Sequence, residues 1–501
     1  MIRSAQFALA LVASWPGFAL SSDVEMVPEI LPGTAGSYPS YLTVHGEELY
    51  FRANDTAGAA NVELWRFDGV QASLVADINP GIGGSSPSYL AFLGDTLYFA
   101  ASGCSSCGIR LWQYDGISVS EAPGAEMGAS NPQDLFVYGG NLFFRAFRSG
   151  FGVELWRFDG VTQTLMDIFP GSGSSYPQHF ILFDGKMCFN ANGTPGDGTE
   201  LYWYNGVSVK RAADINPTDG SSPEHMVVWR DELYFSAIGD DRGRELWKFD
   251  RTHATRMTDI VPGPGASNPY EMTVYRDAIY FGADDEIHGA ELWRFDGTTA
   301  ELVANINENP ILPGVDPVHH AFPMNLTVAG DVLYFTADDG IHGRELWSYD
   351  GENASMVADI YPGQYGSNIT EIVVFQDALF FGADDGTIGG ELGFTKASLF
   401  RLAPAPAPQF LRGDANGDRE TDLSDAVAIL LFLFAGRPDA VPCVLAADAD
   451  ANGDVNVTDA VRLLETLFRG SAPLPAPFGA CGVDPAPSAT LSCATTPTCG
   501  E

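Results

Sequence analysis

The chain has 501 residues, 45 % hydrophobic and 12 % aromatic, too many for one ordinary core and too apolar for a disordered polymer, so at least two folded domains are expected. Its 26 Lys and Arg stand against 65 Asp and Glu, and the formal charge of −39 repels nucleic acid and anionic membrane surfaces. Cations are the natural ligands of such a chain, although a dispersed acidic surface also serves solubility alone, and both readings stay open.

Residues 1–22 read as an export signal peptide. Arg3 is the positive end, Phe7 to Val12 the apolar stretch, and Ala19 and Ser21 are small residues spaced for cleavage. The mature protein is therefore expected to be extracellular. It is not expected to be an integral membrane protein, because the next apolar run of note, Ala426 to Ala435, is far short of the ~20 residues that cross a bilayer. Export permits disulfides. Cys104 and Cys107 read as a local disulfide or a pair of loop thiols, since zinc would need two more ligands that this stretch lacks. Cys188 stands where sister repeats carry Tyr and reads as a packed thiol, while Cys443, Cys481, Cys493 and Cys499 can pair in three ways.

From 23 to 402 the sequence repeats itself. ELWRFDG at 63–69 returns as RLWQYDG at 110–116, ELWRFDG at 154–160, ELYWYNG at 200–206, ELWKFDR at 245–251, ELWRFDG at 291–297, ELWSYDG at 345–351 and a degraded ELGFTKA at 391–397. The period of 44 to 47 residues, with one step of 54, belongs to propellers or solenoids, and four short alternating runs per unit favour propeller blades. First strands begin near Tyr41, Tyr89, Asp134, His179, His225, Glu271, Asn325 and Glu371, which predicts a mainly β, eight-bladed propeller, or seven blades if the degraded copy does not form. VEMVPEI (24–30) matches the fourth-strand motif and is expected to close the last blade, removing an exposed edge.

These units resemble the bacterial ELWxxDGT repeat family over nearly all of 24–400. The resemblance implies secretion and an architecture, and no defined reaction. A repeated residue is more naturally structural than catalytic. Trp65, Trp112, Trp156, Trp247, Trp293 and Trp347 are read as packing between blades, with sugar-stacking platforms as the alternative. Glu63, Glu154, Glu200, Glu245, Glu291, Glu345 and Glu391 are read as acceptors of a shared backbone hydrogen bond. The corner carboxylates Asp284, Asp285, Asp338, Asp339, Asp384 and Asp385 are read as turn formers, with calcium as the functional alternative, and His288 and His342 as surface or turn residues rather than zinc ligands. The long step carries an insertion at 307–323, with His319 and His320, which is a ligand-site candidate because it breaks the symmetry.

A Pro/Ala linker at 403–410 marks a domain boundary. Beyond it, at 411–470, two twelve-residue loops stand thirty-four positions apart, each leading into an apolar helix. Asp414, Asn416, Asp418, Asp422 and Asp425 hold positions 1, 3, 5, 9 and 12 of the first, with the Glu420 carbonyl at 7. Asp448, Asp450, Asn452, Asn456 and Asp459 repeat the set in the second, with Asp454 at 7. This is the donor spacing of a calcium loop, so two calcium ions are expected. Gly453 at position 6 suits the sharp turn there, whereas Arg419 in the first loop has to adopt a positive φ. Val427, Leu430, Leu431 and Phe434, and Val461, Leu464 and Phe468, are expected to form two helix faces that pack together, with metal supplying much of the folding free energy. Residues 471–501 form a Cys/Pro-rich tail.

A loop–helix duplication without a leading helix resembles a dockerin, and LFAGRP, CGVDP and the tail cysteines resemble the planctomycete-type variant. The resemblance implies docking on a cohesin-like or other cell-surface protein, with Ser424 and Thr458 as partner-contacting hydroxyls, and an association with polysaccharide breakdown. Leu423 and Val457 depart from the family pattern at position 10. Two functions compete. One is a non-catalytic secreted protein whose propeller binds a protein or glycan and whose calcium module tethers it. The other is a polysaccharide-degrading O-glycosyl hydrolase, disfavoured because no unique acid pair or nucleophile motif stands out. A calcium module that only folds the C-terminus is a third possibility.

Overall fold

The computed structural model describes residues 24–27, 30, 36–54, 61–81, 83–104, 106–124, 128–196, 198–239, 243–308, 320–389, 394–402, 410–435, 437, 440–470 and 472–479. The chain divides into two compact units, residues 1–403 and 404–501. The stretch expected to be a signal peptide, residues 403–409 of the expected linker, Glu391, His319 and Cys481, Cys493 and Cys499 lie outside the described residues.

The first unit is an eight-bladed β-propeller. Its strands form eight antiparallel four-stranded sheets, seven of them consecutive in the chain. The first blade is typical: Ser40–His45, Glu48–Asn54, Val62–Phe67 and Ala72–Ala76 run from the innermost strand outward. Each inner strand touches the next, and Ile372–Phe375 of the last blade returns to Ser40–His45, so the ring closes on itself. The apolar side of every pleat is buried against a neighbouring blade. Leu97, Phe99 and Tyr114 of the second blade, for example, pack on Tyr50, Leu64 and Ile78 of the first.

The eighth blade combines both ends of the domain. Val24–Met26 pairs antiparallel with Phe394–Leu402, setting Val24 opposite Leu402 and Met26 opposite Phe400, and so supplies the outermost strand. The seven-blade alternative falls away. Register also corrects the position of the degraded repeat. Elsewhere the second strand pairs as Leu49 with Phe67, Phe51 with Trp65 and Ala53 with Glu63. In the eighth blade Leu379 faces Leu402, Phe381 faces Phe400 and Ala383 faces Ser398, so the eighth copy is SLFRL at 398–402, seven residues beyond ELGFTKA. The second and third strands of this blade, Ala378–Gly389 and Phe394–Leu402, are longer than their counterparts, which carries the equivalent pairing farther along the chain.

Every inner strand from the first to the seventh blade carries a bulge at one equivalent residue. Tyr41, Tyr89, Asp134, His179, His225, Glu271 and Asn325 all have φ between 53° and 58°, and the strand register shifts there. A bulged residue leaves the ladder and its side chain is re-aimed.

The second unit contains α1 (Leu423–Ala435), the short α2 (Val444–Ala447) and α3 (Val457–Arg469). Asn456 and Asp459 form a capping box at the start of α3, and Gly470 ends it in the left-handed conformation. Ala426 and Ile429 of α1 pack with Ala460 and Leu463 of α3. The expected packing faces are therefore wrong in part: Val427, Leu430, Leu431, Phe434, Val461 and Phe468 are exposed, and the buried surface uses smaller residues. The core also takes in Leu474 and Phe478, beyond α3. Cys443 is disulfide-bonded, Cys104 is bonded to Cys107, and Cys188 is a buried free thiol whose pKa burial pushes up to about 12.

Candidate functional site

The two acidic loops each gather three carboxylates. Asp414, Asp418 and Asp425 offer oxygens within 4.8 Å of one another, and Asp448, Asp450 and Asp459 do the same. The backbone builds both cages alike. Asp425 accepts from the N–H groups of Asn416 (3.1 Å) and Asp422 (2.8 Å), and Asp459 accepts from Asp450 (3.2 Å) and Asn456 (2.8 Å). Each terminal carboxylate thus folds its loop back on itself.

Within the loops, Asn416 accepts from the Asp418 N–H, Asp418 from Glu420, and Asn452 from Asp454, each at 2.9 Å. These Asx turns keep successive side chains on the inside of the curve. Asp422 and Asn456 accept from the N–H groups of Ser424 (2.6 Å) and Thr458 (2.9 Å) and so cap α1 and α3. The Ser424 hydroxyl lies 2.7 Å from Asn416 Nδ2, and Thr458 donates to Asn456 Oδ1 at 2.7 Å, so both hydroxyls engage their own loop. Position 6 has positive φ in both loops, 75° at Arg419 and 89° at Gly453.

The residues fit a hard divalent cation. Asp414 Oδ2 accepts from the Arg419 N–H at 3.0 Å, while its Oδ1 is buried without a hydrogen-bond partner. Burial raises the carboxyl pKa of Asp414, Asp448 and Asp459 and brings Asp425 to about 6, with neighbouring carboxylates adding to each rise. An orphaned buried oxygen beside like charges is costly, and a cation bound by oxygen donors removes that cost. Sequence reasoning missed Arg412. It is fully buried, donates to the Asp448 carbonyl and, at 3.1 Å, to the Ala476 carbonyl, and so ties the second loop to the stretch after α3. Its only signal in the sequence was an arginine directly before an acidic loop.

In the propeller the repeated residues are structural. Glu63 accepts from the N–H groups of Ile78 (3.0 Å) and Ser85 (2.8 Å) and from the Ser85 hydroxyl (2.6 Å). Glu154 and Glu200 repeat the pattern with Ser175 and Ser221. Trp65, Trp112, Trp247, Trp293 and Trp347 pack in the clusters between blades, and Trp156 is fully buried. The corner carboxylates accept from their own turns: Asp284 from Glu286, Asp285 from Ile287 and His288, Asp338 from Gly340, Asp339 from Ile341 and His342, and Asp384 from Gly386. His288 and His342 each sit 2.7 Å from the Asp three residues before. Of the 307–323 insertion, His320 Nδ1 accepts from the Ala290 N–H at 2.6 Å and lies 3.8 Å from Asp284, while 309–319 fall outside the described residues.

The ring of bulged residues differs from blade to blade, and it has two behaviours. On one arc the side chains lace blades together: His225 Nδ1 accepts from the Glu271 N–H (3.2 Å), and Glu271 from the Asn325 N–H (3.0 Å). On the other, Asp134 and His179 open onto a cavity of about 400 Å3.

No family model matches the chain, and no curated protein matches it. Among solved structures it is similar to the computationally designed Ika8 protein (12 % identity, 75 % of this chain and 99 % of that one, TM-score 0.46). It is also similar to the β-propeller domain of the Trilobed protease from Pyrococcus furiosus (12 %, 64 % and 98 %, TM-score 0.41). A prolyl endopeptidase is matched at 14 % identity over 70 % of this chain and 55 % of that one, with a TM-score of 0.46.

Proposed function

We propose that this is a secreted calcium-binding protein in which a non-catalytic propeller of ELWxxDGT type offers a ligand-binding surface and a dockerin-like EF-hand module, loaded with two calcium ions, tethers it to a cohesin-like or other cell-surface protein. The observation that carries the reading is the duplicated carboxylate cage, in which Asp414, Asp418 and Asp425 converge from loop positions 1, 5 and 12 and Asp448, Asp450 and Asp459 from positions 1, 3 and 12, with Asn416 and Asn452 at the remaining position of each loop. Five oxygen donors at calcium spacing, twice, with an orphaned buried oxygen in the first cage, are best accounted for by metal. Calcium at each loop neutralises the carboxylates and holds the N-termini of α1 and α3, so the module is ordered when loaded.

Isothermal titration of the metal-stripped full chain with Ca2+ tests this. Two equivalents of calcium are expected to bind, and the Asp425→Asn, Asp459→Asn double variant is expected to bind none. Absence of heat at millimolar Ca2+, or unchanged binding by the double variant, removes the reading.

A further inference from the structure

At the inner edge of the third and fourth blades the propeller departs from its own repeat. Asp134 and Gln178 and His179 come from adjacent inner strands (Ser130–Tyr138 and Gln178–Phe183), and Arg145 comes from the second strand behind Asp134. With Phe136 and Phe180 they line a cavity of about 400 Å3, a size suited to a small ligand. Arg145 Nε lies 2.8 Å from Asp134 Oδ2, and the Gln178 amide, with its oxygen turned toward Arg145, accepts from that guanidinium at 3.0 Å. The pair is therefore internally neutral, and its two facing atoms, Asp134 Oδ2 and Arg145 Nε, are buried without a hydrogen bond to the described protein. The His179 ring stands 6.0 Å from His225, and no hydrogen bond to the described protein engages its ring nitrogens. At the corresponding bulges the first two blades place Tyr41 and Tyr89, whose rings pack edge to face at 5.5 Å.

We propose that this cavity binds a neutral saccharide. Its wall presents hydrogen-bond donors and acceptors side by side: the Asp134 carboxylate, the Arg145 guanidinium, the Gln178 amide and the His179 imidazole. Vicinal hydroxyls, each both donor and acceptor, match that alternation, and Phe136 and Phe180 offer apolar surface for the C–H face of a sugar ring. A charged ligand fits less well, since a carboxylate or an ammonium has to separate an ion pair whose two charges already cancel. An acidic sugar also meets the field of a chain of formal charge −39. The inference deepens the reading of the propeller as the ligand-binding part and is independent of the calcium loops.

The test uses the full chain in millimolar Ca2+, titrated by calorimetry and saturation-transfer NMR with neutral trisaccharides of glucose, mannose, galactose and xylose, and with a galacturonate trimer. At least one neutral trisaccharide is expected to bind. His179→Ala and Gln178→Ala are each expected to weaken it about tenfold or more with unchanged circular dichroism, and the uronate is expected to bind about tenfold or more weakly. The inference is overturned if no neutral trisaccharide binds, if the uronate binds as tightly, or if binding survives both substitutions. Calcium titration of the same samples reports separately on the C-terminal loops.

Discussion

Glu371 Oε2 accepts a hydrogen bond from the backbone N–H of Leu42 at 2.8 Å, across the seam where the eighth blade meets the first. The same device joins the fifth blade to the sixth through His225 and the sixth to the seventh through Glu271. At the seam it works beside the pairing of Val24–Met26 with Phe394–Leu402, so the ring is closed from inside as well as at its rim.

Glu371→Ala strands the Leu42 N–H at the inner edge of the seam. The loss of a hydrogen bond to a charged acceptor, with its donor left unpaired, is expected to cost about 2 kcal/mol. Urea denaturation reads it as a lower midpoint, and hydrogen exchange is expected to rise at Leu42 and its neighbours. Unchanged protection there would mean that the rim strand alone holds the seam.

The repeated glutamates give the propeller a pH dependence. Burial raises Glu291 and Glu345 to about 7, outweighing the backbone N–H groups that hold the carboxylates. A carboxyl whose folded pKa is raised contributes stability that is full below its unfolded pKa and lost as pH rises through the folded one. Going from about pH 8 to about pH 6 should therefore stabilise the calcium-loaded chain by on the order of 1 kcal/mol per group. Glu291 is the instructive case, because Ala321 stands where other blades place a serine hydroxyl on the glutamate. Ala321→Ser is expected to raise stability by about 1 kcal/mol at neutral pH and to flatten the pH slope of the melting temperature. An unchanged slope would show that the missing hydroxyl does not set the Glu291 titration.

Arg419 holds a φ of 75° where the second loop has Gly453. A side chain in the left-handed region costs about 1–2 kcal/mol, so Arg419→Gly is expected to tighten the first calcium site about fivefold or more. The second site should not change. Calorimetry on the full chain resolves the two, and a weaker first site would mean that the Arg419 side chain contributes more than its backbone costs.

The blades were legible because alternation of period 2 and a seven-residue motif recur with only small departures. The eighth copy was misplaced because the letters ELG fall at the regular spacing, whereas pairing follows the pleat and sets Ser398 and Phe400 where Glu63 and Trp65 sit in the first blade. The helix faces were misread for a different reason. Α1 is apolar almost all round (LSDAVAILLFLFA), so periodicity cannot select its buried side. Close approach to α3 does so, and it favours Ala426 and Ala460 over the large residues. The convergence of the loop carboxylates was readable because their spacing repeats in both loops. The inner ring was not, since Tyr41, Asp134, His179 and Glu371 share a position and no residue type, and the signal lay in variation within an otherwise constant frame.

That misreading leaves a surface to explain. Leu423, Val427, Leu431 and Phe434 lie along one side of α1, with Phe434 74 % exposed, and the thirty-four-residue offset relates them to Val457, Val461 and Phe468 on α3, with Phe468 69 % exposed. Two matching apolar stripes beside the acidic loops support the proposed docking role over that of a module that only folds the C-terminus. Phe434→Asp with Phe468→Asp is therefore expected to abolish calcium-dependent retention on a cell-surface fraction, with calcium affinity unchanged. Losing one aromatic anchor alone should cost about 2 kcal/mol, roughly thirtyfold in affinity. Pull-down with and without EDTA decides it: retention that ignores both the chelator and the substitutions would assign the loops to folding alone.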